Sequence, residues 1–289
     1  MFLPPEKQTL LDDIVARLSV VPGVQAVVLG GSYARGQQRP GSDLDVAIYY
    51  HEAAPFDIEA IRRIALDLAP DNPPSVTDFY GWGAWVNGGA WIHHPVCKVD
   101  FIFRNIDQVQ RTIQDALRGV THHDFNQQPA YGFYSVIYLG ETFVCRPLFD
   151  PHGYVARLKE QVAVYPPLLK EKIVSGHLWM AEFSLLHADG YAASGDVYAA
   201  AGAMTRTASL LTQVLFALNE TYFMNDKTAL KEIAAFPIAP AGYGDALSEV
   251  LAHPGRTSAE LQGSVKALRA LWSSVVALTG GAYQPAFRL

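Results

Sequence analysis

Cysteine is scarce in this chain, and the features that the sequence lacks exclude several classes of protein. There are two cysteines, Cys97 and Cys145, among 289 residues, each in an apolar run typical of a strand. Two cysteines are too few for a disulfide framework or a structural zinc site, so we expect a reducing, cytoplasmic compartment. The sequence contains no run of about 18 uncharged apolar residues, so no membrane span is predicted, and the first residues lack the pattern of a secretion signal.

Basic charge is also in short supply. The formal net charge is −6, and the excess acid is confined to the first half. Residues 1–150 contain 11 Lys and Arg against 17 Asp and Glu, whereas residues 151–289 contain 11 of each. A protein that grips long nucleic acid neutralises many phosphates with basic side chains, so this balance disfavours a polymerase. Clustered acids that hold cations remain compatible with it.

The pattern of apolar residues predicts an α+β protein with two domains. Residues 1–150 alternate between helical and strand patterns, which indicates an N-terminal mixed β-sheet with packed helices. Residues 151–289 show helical spacing almost throughout, which indicates a C-terminal α-helical bundle. Strands are predicted at 24–29, 43–49, 96–103 and 141–145. Helices are predicted at 6–19, 57–68, 106–117, 154–163, 168–188, 195–223, 227–235 and 256–278, with a break at Gly190.

A glycine-rich segment follows the first predicted strand. Gly30-Gly31-Ser32 can open a helix whose free amides and positive dipole end face an anion, and glycine lets a phosphate approach the backbone closely. Asp43 and Asp45 lie two residues apart on the next predicted strand, so their side chains project to one face. The segment therefore predicts a phosphate cradle beside two carboxylates.

Asp100 adds a third acid in an otherwise apolar strand. An ionised side chain in such a position is costly unless a partner or a metal neutralises it. Three acids on neighbouring strands can hold two Mg²⁺ ions, and such a pair can clamp a triphosphate and activate an attacking hydroxyl. The alternative without a ligand is a glycine-rich turn with Asp43 capping a strand end. It does not explain why Asp45 and Asp100 lie in apolar strands.

Gly31-Ser32, ten intervening residues and Asp43-x-Asp45 together resemble the signature of the DNA polymerase beta-like nucleotidyltransferase superfamily. The match is closest to its small-substrate and antitoxin-type branches and covers roughly residues 24–104. The resemblance implies that Gly31 and Ser32 bind the β- and γ-phosphates. It also implies that Asp43 and Asp45 bind both metals and that Asp100 binds the catalytic metal or the attacking hydroxyl. The helical half is similar in architecture to the C-terminal domains of aminoglycoside and lincosamide nucleotidyltransferases.

The resemblance implies a Mg²⁺-dependent transferase that moves a nucleoside monophosphate onto a hydroxyl of a small acceptor, such as an antibiotic, and releases pyrophosphate. AMP from ATP is the expected donor group, with another NTP left open. The acceptor would bind in a cleft between the two halves. The alternative is an antitoxin-type or regulatory module that binds or AMPylates a partner protein. Antitoxin-type members are often much shorter than this chain, which favours the enzyme.

Three basic residues are secondary candidates for phosphate contact. Arg35, one helical turn beyond the Gly-Ser pair, either neutralises a phosphate or pairs with Asp12 or Asp13 on the surface. Arg206 and Lys227 in the helical half either reach toward a triphosphate or lie on solvated helix surfaces.

The general base cannot be assigned from the sequence, because a base is recognised by its distance to the substrate hydroxyl. Besides Asp100, the candidates are Glu141, Asp78 and Asp107. Several aromatic residues either line a site for a ring-bearing ligand or pack in the core or a hairpin. They are Tyr80, Trp82, Trp85, Trp91 and Tyr131.

Overall fold

The computed structural model describes residues 3–128 and 130–287, which divide into two compact units. The first unit consists of the described residues as far as Asp115, together with His122–Val164. The second consists of Ala116–Thr121 and the described residues from Tyr165 onward. The assignment of catalysis to the first half of the chain and of acceptor binding to the second half stays a prediction.

The first unit is built on a mixed β-sheet. Its strands are β1 Ala26–Leu29, β2 Leu44–Tyr50, β3 Ser75–Val76, β4 Gly89–His93, β5 Lys98–Asn105, β6 His123–Asp124, β7 Phe133–Tyr134 and β8 Arg146–Phe149. Six of them form one sheet in the order β3-β4-β5-β2-β1-β8, and β6 pairs with β7. β2 and β5 run parallel, whereas the other neighbours in the large sheet are antiparallel. The predicted mixed sheet is confirmed.

In the described part of the chain, six helices accompany these strands. They are α1 Pro5–Leu18, α2 Gly31–Arg35, α3 Ile58–Leu68, α4 Ile106–Leu117, α5 Val136–Val144 and α6 Tyr154–Gln161. In α1 the buried residues recur at the three- and four-residue spacing of one helix face, and Pro5 occupies the first turn, where its missing N–H costs nothing. In α3 the Asp57 side chain caps the N-terminus by accepting a hydrogen bond from the Glu59 amide.

One face of the sheet is the core of the first unit. Alternate residues of the central strands are fully buried, together with apolar residues of α1 and α3. On the sheet they are Leu44, Val46, Ala90, Ile92, Val99 and Phe101. A register shift of one residue would turn all of them to the other face, so burial of this row fixes the register. Because side chains alternate along a strand, the residues between them, including Asp45 and Asp100, project to the opposite face.

The predicted strand at 141–145 is wrong, since this stretch is the end of helix α5 and β8 begins just after it. Short apolar runs do not distinguish a buried helix from a buried strand, and most of α5 is buried. Cys145 follows the last residue of α5, and Cys97 immediately precedes β5, so neither cysteine lies within a strand.

The second unit is helical, as predicted. Its helices are α7 Pro167–Ser194, α8 Val197–Leu218, a 3₁₀ helix Asp226–Thr228, α9 Ala229–Ile233, α10 Tyr243–Ala252 and α11 Ser258–Ala277. α7 packs along both α8 and α11. The predicted break at Gly190 is wrong, because α7 continues through it and ends before Gly195, which adopts the left-handed conformation of a C-cap. α10 was not predicted, since the prolines and glycines around it indicate a loop.

Helix length and hydropathy also bear on the membrane question. Among the described residues, none of the helices combines the length and the apolar character needed to cross a bilayer.

Candidate active site

The register of the central strands places two of the predicted acids side by side. In the parallel pair β2 and β5, Asp45 lies directly opposite Asp100. Adjacent strands are about 4.8 Å apart, so both carboxylates occupy the same small area of the sheet face opposite the core row. Asp43 immediately precedes β2 and is two residues from Asp45. The structure thus brings the three predicted acids to one end of the two strands.

The glycine-rich segment lies against Asp45. The Gly30 amide donates a hydrogen bond to the Asp45 carbonyl oxygen at 2.8 Å. Gly31 has a φ of +57°, and a Cβ atom placed on it would lie 1.7 Å from Asp45 Oδ2. Only glycine fits at this position, because both the backbone conformation and the space exclude a side chain. Ser32 and Arg35 belong to the short helix α2 that begins here.

Lys98 was not among the predicted site residues, yet it contacts two of the acids. Its ammonium group donates a hydrogen bond to Asp100 Oδ2 at 2.9 Å and to Asp43 Oδ2 at 3.4 Å. Burial disfavours the charged form of Lys98, but the hydrogen bond and charge of Asp100 and the charge of Asp43 outweigh it and raise its pKa. A signal for Lys98 was present in the sequence, because a residue two positions before Asp100 shares its face of the strand.

Asp45 is the most strongly perturbed acid of the cluster. Burial, followed by the charges of Asp100 and Asp43, raises the pKa of Asp45 to about 6, while the charge of Lys98 opposes the rise. Asp100 Oδ1 is buried and has no hydrogen-bond partner, although Lys98 Nζ lies 2.9 Å from it in poor hydrogen-bond geometry. One ammonium group therefore does not neutralise the negative charge collected here, and such perturbed groups cluster at functional sites.

The donor set suits a hard cation, because carboxylate oxygens are the ligands that Mg²⁺ prefers. Across residues 3–128 and 130–287, however, no group of three or more His, Cys, Asp and Glu side chains is already arranged around a common metal position. Lys98 bridges Asp43 and Asp100 instead. Lys98 therefore competes with a cation for Asp43 and Asp100.

The candidates for the general base differ in how they are engaged. Glu141 on α5 accepts two hydrogen bonds from the buried Arg104, at 2.9 and 2.8 Å, and its charge contributes to the raised pKa of Asp45. Asp78 forms an ion pair with an arginine of α3. Asp107 accepts hydrogen bonds from His51 and from the Glu52 amide. All three are engaged elsewhere, and none is singled out as the base.

The two basic candidates of the helical half belong to the second unit. Arg206 on α8 lines a groove of about 850 Å³ between α7 and α8, together with Phe183, Tyr191 and Tyr198. Lys227 lies in the 3₁₀ helix. Their contact with a triphosphate stays a prediction.

Comparisons with known proteins identify the domain. A model of the nucleotidyltransferase domain family matches residues 10–119. A search among curated proteins found no match. Among solved structures, the chain is similar to a nucleotidyltransferase-like protein from Exiguobacterium sibiricum 255-15, with 10% sequence identity, a TM-score of 0.47, and 96% of this chain and 78% of that chain covered. The matched segment contains α2, β2 and β5, and with them all three acids; residues 10–119 belong to the nucleotidyltransferase domain family, and the protein is a transferase.

Proposed function

We propose that this protein transfers AMP from ATP to a hydroxyl group of a small-molecule acceptor and releases pyrophosphate. The observation that carries the proposal is the position of Asp45, which lies against Gly31 and directly opposite Asp100. In this position the pKa of Asp45 is raised to about 6. A site with surplus negative charge in partly buried surroundings is built to receive cations, and nucleotidyltransferase domains generally use an NTP with a divalent metal.

In this proposal each element of the site has one task. The first amides of α2, at Gly31 and Ser32, face the β- and γ-phosphates, since the first N–H groups of a helix have no partner within it. Asp43, Asp45 and Asp100 would hold two Mg²⁺ ions. When bound, such ions polarise the phosphate and favour deprotonation of the hydroxyl.

The chemical balance is that of an in-line substitution at the α-phosphorus. The acceptor oxygen forms a bond to the α-phosphorus, and the bond from that phosphorus to the bridging oxygen of pyrophosphate breaks. The hydroxyl proton leaves to a site carboxylate or to solvent. Lys98 compensates the charge of Asp43 and Asp100, and a bound cation would compete with it for both carboxylates.

The finer assignments rest on other observations. The choice of ATP and of a small hydroxyl-bearing acceptor rests on the resemblance carried by Gly31-Ser32 and Asp43-x-Asp45. Arg35, at the end of α2, is proposed to assist in phosphate neutralisation, and Arg206 and Lys227 are proposed as further phosphate contacts. Both cysteines are free thiols, which supports a reducing, cytoplasmic compartment.

The test is a transfer assay with ATP labelled at the α-phosphate, Mg²⁺ and a panel of hydroxyl-bearing acceptors. Wild-type protein is expected to move label onto an acceptor and release pyrophosphate. The double variant Asp43→Asn, Asp45→Asn is expected to lose roughly a thousandfold or more in rate. Asp67→Asn, on the exposed surface of α3, removes the same kind of charge elsewhere and is the matched control.

Two results would contradict the proposal. Transfer that survives in the double variant would remove the metal assignment of Asp43 and Asp45. Label that reaches a partner protein, and none of the small acceptors, would replace the proposed acceptor by a protein and favour the regulatory alternative.

A further inference from the structure

Two tryptophans lie beside the carboxylates on the same face of the sheet. In the antiparallel pair β4 and β5, Trp91 lies directly opposite Asp100. Residues directly opposite each other in such a pair point to the same face. Since Asp100 also lies opposite Asp45 on β2, one row crosses three adjacent strands from Asp45 through Asp100 to Trp91. Trp91 is thus the next side chain beyond the acids.

The Trp91 ring is open to a ligand and held in place from behind. Trp91 is 52% exposed, whereas its strand neighbours Ala90 and Ile92 are fully buried in the core. Its ring stacks on Trp82, with centroids 5.0 Å apart and an angle of 26° between the planes. Trp82 in turn packs on Gly89, where a Cβ atom would lie 2.7 Å from the Trp82 ring. The pair forms a continuous aromatic surface, which we call the Trp82–Trp91 platform.

The strand order places the platform on one particular side of the acids. Helix α2, with Gly31, follows β1 and contacts Asp45 on β2. β4 lies beyond β5, on the other side of the acid pair. The acids therefore separate the glycine-rich segment from the platform, with about 4.8 Å between successive strands.

This separation matches the geometry of the proposed reaction, on which the inference rests. In an in-line substitution, the attacking oxygen and the leaving group lie on opposite sides of the phosphorus. With the leaving pyrophosphate at α2, the acceptor approaches from the side of β4. A ligand ring on this side meets the exposed face of Trp91.

We infer that the Trp82–Trp91 platform binds the acceptor, and that the acceptor carries a planar aromatic or heteroaromatic ring close to the hydroxyl that receives the nucleotide. Flat stacking on an indole is favourable for any planar ring, since every such ring has a π-face. A puckered, saturated ring makes less contact with the same flat surface. The nucleobase of the donor is the other planar ring in the reaction, and it is joined through the ribose to an equatorial oxygen of the α-phosphate rather than to the attacking side.

The test uses two matched probes, 2-naphthalenemethanol and its fully saturated decahydro counterpart, which carry the same hydroxyl on a planar and a puckered ring. Binding is measured by ligand-observed NMR in wild type, Trp91→Ala and Trp91→Phe, beside calorimetric binding of a non-hydrolysable ATP analogue with Mg²⁺. Phe125→Ala, which removes an aromatic side chain that is 70% exposed elsewhere in the first unit, is the control.

The planar alcohol is expected to bind wild type about tenfold more tightly than Trp91→Ala, with Trp91→Phe between them and Phe125→Ala unchanged. Binding of the ATP analogue is expected to be equal in all four proteins. Three results would refute the platform. One is that the planar alcohol binds Trp91→Ala as tightly as wild type, and another is that the saturated alcohol binds wild type as tightly as the planar one. The third is that Trp91→Ala binds the ATP analogue more weakly than wild type does. Absence of ATP-analogue binding in wild type would refute the proposed function itself, which separates the two failures.

Discussion

Two deeply placed acids, one taken from each unit, are treated differently by their surroundings. Glu182 on α7 of the second unit is completely buried, and its carboxylate accepts hydrogen bonds from the Tyr283 hydroxyl and from the amides of Ala286 and Phe287, at 3.0 and 2.6 Å for the two amides. Asp45 of the first unit is largely buried as well. Among the described residues, no group donates a hydrogen bond to its carboxylate, and its pKa rises to about 6.

The difference distinguishes an acid that stabilises the fold from an acid that binds a ligand. Buried polar groups in proteins are nearly always hydrogen-bonded, and the Glu182 carboxylate follows this rule. The Asp45 carboxylate departs from it. Two acids and a glycine-rich backbone surround Asp45 instead. We interpret Asp45 as a site kept unfavourable in the empty protein so that binding of cations relieves it.

The largest effect on stability is expected at Glu182. Glu182→Ala removes the acceptor of three hydrogen bonds and leaves a cavity, so the free energy of unfolding is expected to fall by about 4 kcal/mol. Denaturant unfolding followed by circular dichroism measures this. Glu182→Gln keeps the shape and part of the hydrogen bonding and is expected to lose less. An unchanged stability in Glu182→Ala would show that this acid is not structural and would end the comparison.

Asp45→Asn is expected to have the opposite sign. The pKa of Asp45 in the folded protein, about 6, exceeds its ordinary value of 3.8, so the folded protein binds the proton more tightly than the unfolded chain does. The contribution of Asp45 to the stability of the wild type therefore falls as the pH rises from about 4 to about 6. Asn carries no charge, so Asp45→Asn should be more stable than wild type by up to about 3 kcal/mol above this window and equal to it below.

Unfolding curves at pH 4 and pH 7.5 check this prediction, with Asp67→Asn as the charge-matched control. A loss of stability in Asp45→Asn at pH 7.5 would place Asp45 in the same class as Glu182.

The smallest effect is expected at Lys98. Because the charge of Lys98 lowers the pKa of Asp45, Lys98→Met should move that pKa upward from about 6, with a change in stability below about 1 kcal/mol since Lys98 is partly exposed. Carboxyl chemical shifts followed by NMR titration report the pKa directly. A pKa of Asp45 that does not move would show that Lys98 is not coupled to the acid cluster.

The acid cluster was predictable from the sequence because its determinants are local. Alternation of apolar and acidic residues fixes which face Asp45 and Asp100 occupy, and the glycine-rich turn fixes what lies beside them. The same alternation places Lys98 on the face of Asp100, so its position was predictable too. The role of Glu182 was not predictable, because its partners follow it by about one hundred residues. Residues 141–145 were assigned wrongly because their apolar run suits a buried helix as well as a strand.

The Trp82–Trp91 platform is a second feature that could not be predicted fully from the sequence. The sequence leaves open whether Trp82 and Trp91 line a site or pack in the core or a hairpin. The pairing of Trp91 with Asp100 decides the face, and it depends on the register of two strands joined by a turn.

The most direct test of the central claim is a calorimetric titration with a non-hydrolysable ATP analogue, with and without Mg²⁺, in wild type, in the double variant Asp43→Asn, Asp45→Asn, and in Glu182→Gln. The account predicts Mg²⁺-dependent binding in wild type and in Glu182→Gln, and no binding in the double variant. Binding that is independent of Mg²⁺, or that persists in the double variant, would contradict it.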